Sequence, residues 1–152
     1  MSEFDKCLAS AQRSLAMREH STLQIKNKLT NKGFDSKIIE NVVSEIQETG
    51  FQSDKRYTEE YIRYRQNSGY SSKKIVYELK SNGISSELIS NYMENFEDDY
   101  NILFEFAQSK INNVDLNDHK TFMKFINNFK SRGFDTNIIS KVLKNIKNHE
   151  KQ

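Results

Sequence analysis

A period of 50 residues constrains the fold of this chain more than any other feature. Three of the five glycines, Gly33, Gly83 and Gly133, lie 50 residues apart, and the sequence around each of them repeats. A repeat of this length is one supersecondary unit that buries its apolar face against its neighbours. The period therefore predicts three copies of one small module.

The repeated segments have the pattern of two helices joined by a tight hinge. Eight matched columns are apolar in all three copies, and the last five follow the 3.6-residue period of one helix face. In the first copy they are Ile25, Leu29, Phe34, Ile38, Ile39, Val42, Val43 and Ile46. A glycine after the last helical residue takes the left-handed conformation without steric cost. The residue two positions later can cap the next helix, and it is Asp35, Ser85 or Asp135.

A third helix is predicted before each pair, at residues 3–18, 54–68 and 98–112. Ser21 and Gln24 have the spacing of a capping box, and Asp54 is a predicted N-cap. The sequence thus predicts an all-α fold with nine helices. They form three tandem three-helix repeats, at 1–50, 51–97 and 98–152, in an elongated, curved array.

The composition limits the class of protein. Hydrophobic residues make up 36% and charged residues 29% of the chain, which suits several small cores better than one thick core. The single cysteine, Cys7, excludes an internal disulfide and fits a reducing compartment. No apolar run approaches the roughly 20 residues of a membrane helix. We expect a monomer in the cytoplasm.

The residues with catalytic or metal-binding chemistry are scattered. His20, His119 and His149 are far apart, and no phosphate-binding glycine loop or nucleophile elbow is present. Glu94 and the run 97–99 lack the spacing of a calcium loop and are typical of a helix start. His20 and His119 fall near helix joins, where exposed polar residues are expected. We therefore predict no enzyme activity, no metal and no cofactor.

The order of the motifs resembles the RecX family of bacterial RecA regulators. The similarity begins with Leu15, Arg18 and Ser21, continues through Lys32-Gly33-Phe34, and reaches Ser53-Asp54-x-Arg56-Tyr57 in the second repeat. The third repeat ends on Arg132-Gly133-Phe134, like the family's Arg-Gly-Phe. Ser53 stands where the family usually has Asp, and Thr58 where it usually has Ala.

The resemblance implies a function. Members of this family bind RecA and its filament on DNA, and restrain ATP hydrolysis, strand exchange and co-protease activity. In this way they modulate DNA repair, recombination and the SOS response. They have no catalytic site of their own, so a similar chain is expected to act by protein–protein interaction.

Charge is segregated along the chain. The net charge is +4 over 55–80, −7 over 84–118 and +6 over 119–152. Uneven blocks of this kind favour an interaction surface over an ordinary solvated helix face. The candidate partner-binding residues are Arg56, Arg63, Arg65, Lys73 and Lys74 in the middle repeat, and Lys120, Lys124, Lys130 and Arg132 in the last.

A nucleic-acid-binding protein that acts alone is the alternative interpretation. Lysine and arginine could contact DNA phosphates weakly and without regard to sequence, and Tyr57, Tyr61, Tyr64 and Tyr70 could stack on bases. Against stacking, Tyr57, Tyr61 and Tyr64 share a helical stripe typical of a core. The helix at 38–46 has an apolar repeating face, which argues against a recognition helix that reads bases in the DNA major groove. A scaffold for some other protein is a third possibility.

Overall fold

The structure, a computed structural model, describes residues 1–112 and 114–150, with side chains as far as residue 148. Within this range it is all-α, as predicted, with nine α-helices and a 3-10 turn at Met93–Asn95. The helices are α1 (Glu3–Met17), α2 (Thr22–Asn31), α3 (Ser36–Glu48), α4 (Asp54–Asn67), α5 (Ser72–Ser81), α6 (Ser86–Ser90), α7 (Asp99–Ile111), α8 (His119–Ser131) and α9 (Thr136–Glu150). None of the described helices is long and apolar enough to cross a bilayer.

The backbone divides into two compact units. Unit 1 contains residues 1–61 and 78–92, and unit 2 contains residues 62–77 and 93–152. The division runs through α4 and α5, so each unit combines one terminal repeat with half of the middle one. The repeat boundaries after residues 50 and 97 concern the sequence period and remain predictions.

Unit 1 has its core where α1 packs against α2 and α3. The buried residues are the ones that the repeat marked as apolar, joined by two small residues of α1. They are Cys7, Ala11, Ile25, Leu29, Ile39, Val42, Val43 and Ile46. Each large aliphatic side chain buried here stabilises the fold by about 1.5–3 kcal/mol. Burial, with Glu3 nearby, raises the pKa of the Cys7 thiol, in keeping with a packing role.

Unit 2 repeats this arrangement, with α7 and α8 each packing against α9. Its core is richer in aromatic residues: Phe129 is fully buried, and the Phe106 ring meets it edge-on at 6.2 Å between centroids. The other buried members are Ile102, Leu103, Ala107, Ile111, Leu116, Phe134, Ile139, Val142, Leu143 and Ile146.

The hinges and most predicted caps are confirmed. Gly33, Gly83 and Gly133 have φ angles of 91°, 83° and 95°. Ser21 and Gln24 form the predicted capping box. Asp35 and Ser85 cap α3 and α6 through their side chains. The side-chain cap at Asp135 stays a prediction.

The prediction that Asp54 caps α4 is wrong. Ser53 Oγ accepts the N–H of Arg56, so Ser53 is the cap. Asp54 is the first helical residue, and its carboxylate accepts the main-chain N–H of Thr22 at 2.8 Å and the Thr22 hydroxyl at 3.1 Å. A helix leaves its first N–H groups without internal partners. Asp54 therefore satisfies the start of α2 rather than its own helix.

The third helix of the middle repeat is shorter than the period predicts. Thr22 and the aspartate that bonds to it are 32 residues apart, but Ser72 and its equivalent partner Asp99 are 27 apart, five fewer. This shorter spacing coincides with a shorter third helix: α6 has 5 residues, whereas the equivalent helix α3 has 13. The predicted apolar stripe is therefore wrong beyond Ile89. Tyr92 and Phe96 are half-buried, and Met93 is 47% exposed.

Two glycines with similar backbones should differ in their tolerance of alanine. At Gly33 a methyl group would have nothing within 4 Å, whereas at Gly133 it would press on Ser71 Oγ and lie 2.8 Å from Lys74 Cβ. Gly33→Ala should cost about 1–2 kcal/mol, the strain of a left-handed L-residue. Gly133→Ala should cost about 1–3 kcal/mol more, because a packed contact must open. Urea unfolding followed by circular dichroism measures both, and equal losses would contradict the close approach.

Candidate functional site

The candidate site in unit 2 is built around the start of α5. Ser71 Oγ accepts the N–H of Lys74 at 3.1 Å, which caps the helix. The N–H of Ser71 donates to the carbonyl of Arg132 at 3.1 Å, and the N–H of Ser72 donates to Asp99 at 2.9 Å. The bond to Arg132 holds the start of α5 against the turn between α8 and α9, which contains Gly133, and the bond to Asp99 holds it against α7.

The side chain of Arg132 links the turn after α8 to the end of α4 and to two aromatic rings. Its Nη1 donates to the carbonyl of Ser68 at 2.7 Å, just beyond the last turn of α4. The guanidinium carbon also lies 4.0 Å from the centroid of the Phe106 ring and 4.6 Å from that of Tyr70. A cation at carbonyls that end a helix, stacked on aromatic faces, is stabilised by hydrogen bonding, the helix dipole and cation–π attraction.

Three basic side chains gather around the ring of Tyr70. The guanidinium carbons of Arg65 and Arg132 lie 3.5 Å and 4.6 Å from its centroid, and Lys74 Nζ lies 5.9 Å away. Lys74 Nζ also donates to the carbonyl of Ser131 at 2.6 Å. Unit 2 therefore brings together residues from both basic blocks of the sequence.

The other candidate basic residues fall into two groups. Arg56, in unit 1, is held by Glu19 and by the carbonyls of Gly50 and Phe51 at 3.0 Å and 2.9 Å. The rest have exposed side chains, and no ion pair is found for them among the described residues. They are Arg63, Lys73, Lys120, Lys124 and Lys130.

The tyrosines do not form a stacking platform together. Tyr57 is 2% exposed, and its ring packs on Tyr61 with centroids 5.5 Å apart. The ring of Tyr70 has guanidinium groups over it. Tyr64 is 66% exposed, so its predicted place in the core is wrong. The buried residues of α4 are Tyr57, Thr58 and Ile62.

A polar cavity borders the site, and sequence reasoning missed it. It measures about 260 Å³, and the carboxylate residues Glu97 and Glu105 line it together with Gly69 and Phe106. Its remaining walls are Gln66, Asn67, Ile102 and Ser109. The acidic block at 84–118 was the signal in the sequence, but the block did not show that two of its members share a cavity with Gly69 and Phe106, which Arg132 contacts.

Two titratable groups, His20 and Asp118, have pKa values shifted by their local structure. Burial lowers the pKa of His20, which is 5% exposed, so its predicted exposure is wrong; its Nδ1–H donates to the carbonyl of Arg18 at 2.9 Å. Hydrogen bonds from Thr121 lower the pKa of the Asp118 carboxyl, which caps α8. Among the described residues no three His, Cys, Asp or Glu side chains are grouped to hold a metal. The side chain of His149 lies outside the described residues.

The face of α3 that could resemble a recognition helix is buried. Ile39, Val42, Val43 and Ile46 are at most 6% exposed. A helix that reads bases presents side chains to the major groove. The apolar face of α3 therefore serves the core of unit 1.

The sequence of this chain is similar to known proteins along nearly its whole length. Family models of the first and second three-helix domains of RecX match residues 7–45 and 53–93. The regulatory protein RecX of Legionella pneumophila (strain Corby) is 36% identical over 143 residues, which cover 93% of this chain and 95% of that protein. This chain belongs to the RecX family. The resemblance found in the sequence is thereby confirmed.

A further RecX sequence and two RecX crystal structures are also similar to this chain. The regulatory protein RecX of Haemophilus ducreyi is 34% identical over 120 residues, 79% of each chain. The crystal structure of RecX from Lactobacillus salivarius superposes with a TM-score of 0.70, over 95% of this chain and 97% of that one. A second RecX crystal structure also gives 0.70, over 93% and 73%. At 17% and 15% identity, these two structures support the fold alone.

Arg132 and Lys130 should behave differently when changed to alanine. Arg132→Ala removes the guanidinium from the Ser68 carbonyl and from two rings, which should destabilise the protein by about 2–3 kcal/mol. Lys130→Ala, at an exposed position, should change stability by less than about 0.5 kcal/mol. Arg132→Lys should recover only part of the loss, because an ammonium lacks the planar fork. Urea unfolding tests this, and an Arg132→Ala protein as stable as Lys130→Ala would contradict the structural role.

Proposed function

We propose that this chain is a cytoplasmic regulator that binds RecA and RecA–DNA filaments as a monomer. It inhibits RecA ATP hydrolysis, strand exchange and co-protease activity, and so modulates DNA repair and the SOS response. It does so by binding, without a reaction of its own. Membership of the RecX family is the observation that carries the proposal.

The distribution of basic side chains supports a binding role. Two basic blocks, separated in sequence by an acidic one, contribute to the same unit, where Lys74 contacts Ser131. Exposed lysines lie next to these contacts in sequence and remain available to a partner. Surfaces of this kind steer association with a partner of opposite charge.

DNA binding without RecA is the second candidate function, favoured by the exposed lysines and by Tyr64. The burial of α3 and the covered ring of Tyr70 count against groove reading and against base stacking on that ring. A contribution from lysine–phosphate contacts would be weak and strongly dependent on salt.

The ATPase activity of RecA separates the two. Purified protein, added well below one copy per RecA to filaments on excess single-stranded DNA, should slow ATP hydrolysis strongly. Inhibition by sequestration of DNA should vanish as DNA is added, whereas inhibition by filament binding should persist. If folded protein did not slow hydrolysis even in equal amount with RecA, the proposed function would be wrong.

A further inference from the structure

Four basic residues belong to the two segments that come together where the first turn of α5 contacts the turn between α8 and α9. Lys73 and Lys74 belong to the first segment, and Lys130 and Arg132 to the second. Lys74 Nζ donates to the carbonyl of Ser131 at 2.6 Å, and the N–H of Ser71 donates to that of Arg132 at 3.1 Å. We call these four residues the basic face.

Among the described residues, no ion pair with a carboxylate is found for the basic face. Over the described residues, ion pairs join Lys6 to Glu3 and Arg56 to Glu19, and neither pair involves this face. Main-chain carbonyls accept hydrogen bonds from Lys74 and Arg132 but do not neutralise their charge. The ammonium groups of Lys73 and Lys130 are exposed. Like charges fixed side by side raise the local potential and attract an anionic partner.

Carboxylates border this face and narrow the class of anion that it can accept. The guanidinium of Arg132 lies over the Phe106 ring, and its Nη1 donates to the carbonyl of Gly69. Phe106 and Gly69 also line the cavity that Glu97 and Glu105 line. On the other side, Asp99 is bonded to Ser72, the neighbour of Lys73. A DNA duplex carries a charge about every 1.7 Å along its axis. A continuous line of phosphates across the basic face would therefore approach these carboxylates.

The aromatic ring in contact with the basic face is covered by cations and is not open to nucleic-acid bases. Single-strand binding combines a positive groove with aromatic rings on which successive bases stack. The ring next to this face is that of Tyr70, and Arg65 and Arg132 lie over it at 3.5 Å and 4.6 Å. The ring therefore serves to hold the guanidinium groups.

We propose that the basic face binds a protein surface that presents carboxylates, and that it is not a track for nucleic-acid phosphates. A protein can place separate acidic side chains on the lysines and basic or neutral ones near Glu97 and Glu105, which a polyphosphate cannot do. The inference deepens the proposed function, because RecA filaments would supply that surface. The chemistry of the face can nevertheless be tested without RecA.

The test uses a charge-reversed pair and a matched control. Lys73→Glu with Lys130→Glu reverses the two exposed lysines of the basic face. Lys26→Glu with Lys37→Glu makes the same charge change at exposed positions in unit 1. Circular dichroism checks that both variants are folded. Fluorescence anisotropy then measures binding to a labelled peptide in which glutamates are separated by neutral residues, and to an oligothymidylate of equal charge. Co-sedimentation measures binding to RecA filaments.

The proposal predicts that the wild type binds the peptide of spaced glutamates more tightly than the oligothymidylate. The face variant should bind the peptide about tenfold more weakly, as expected for two reversed charge pairs, and the control should bind nearly as the wild type does. Tighter binding of the oligothymidylate, lost in the face variant, would overturn the proposal in favour of nucleic acid. Equal losses in both variants would also overturn it.

The RecA measurement separates this inference from the proposed function. Peptide binding that depends on the basic face, with no wild-type binding to filaments, would contradict the function and leave the chemistry of the face intact. Wild-type filament binding that the face variant retains in full would keep the function and overturn the role of this face. Loss of filament binding in the face variant alone would support both.

Discussion

A hydrogen-bonded junction at the start of the second helix of a repeat is the interaction on which the structure depends. In unit 1 Ser21 caps α2, the N–H of Thr22 donates to Asp54, and Ser21 Oγ donates to the carbonyl of Asn82. In unit 2 Ser71 caps α5, the N–H of Ser72 donates to Asp99, and the N–H of Ser71 donates to the carbonyl of Arg132. Helix termini that would otherwise need water are thus satisfied by the next repeat. Modules of about 50 residues are only marginally stable alone, so these bonds help make each unit cohesive.

The repeat itself could be predicted because its signals are local. Apolar spacing, a glycine at a helix end and a capping box act within a few residues, and they gave the helices, the hinges and the buried columns of the first and third repeats. The junction could not be predicted in the same way, because its partners are 27 to 61 residues apart. Asp54 is the clearest case. Its position at a helix start suggested a cap, but the capping bond comes from Ser53 and the carboxylate bonds to Thr22. The short α6 has a related cause, since five residues fewer before Asp99 leave no room for a full helix.

The basic blocks illustrate what sequence could say about the site. Counting charges identified nine candidate residues but could not separate structural cations from free ones. The structure places Arg56 and Arg132 on main-chain carbonyls, whereas Lys73 and Lys130 are exposed. It also places Glu97 and Glu105 in a cavity lined by Phe106 and Gly69, two residues that Arg132 contacts. A fixed framework of arginines, with exposed lysines on it and carboxylates at its border, fits a partner surface of mixed charge better than a uniform polyanion.

Hydrogen–deuterium exchange of the protein, free and bound to RecA filaments, tests most directly that this RecX-family chain acts by binding through the basic face. The account predicts that bound filaments slow exchange of the amides at 72–77 and 128–136. Those at 30–36, the equivalent hinge of unit 1, should exchange as in the free protein. Protection at the unit 1 hinge without protection at the other two segments would contradict the assignment of the face. Unchanged exchange throughout, with filaments in excess, would contradict the binding role itself.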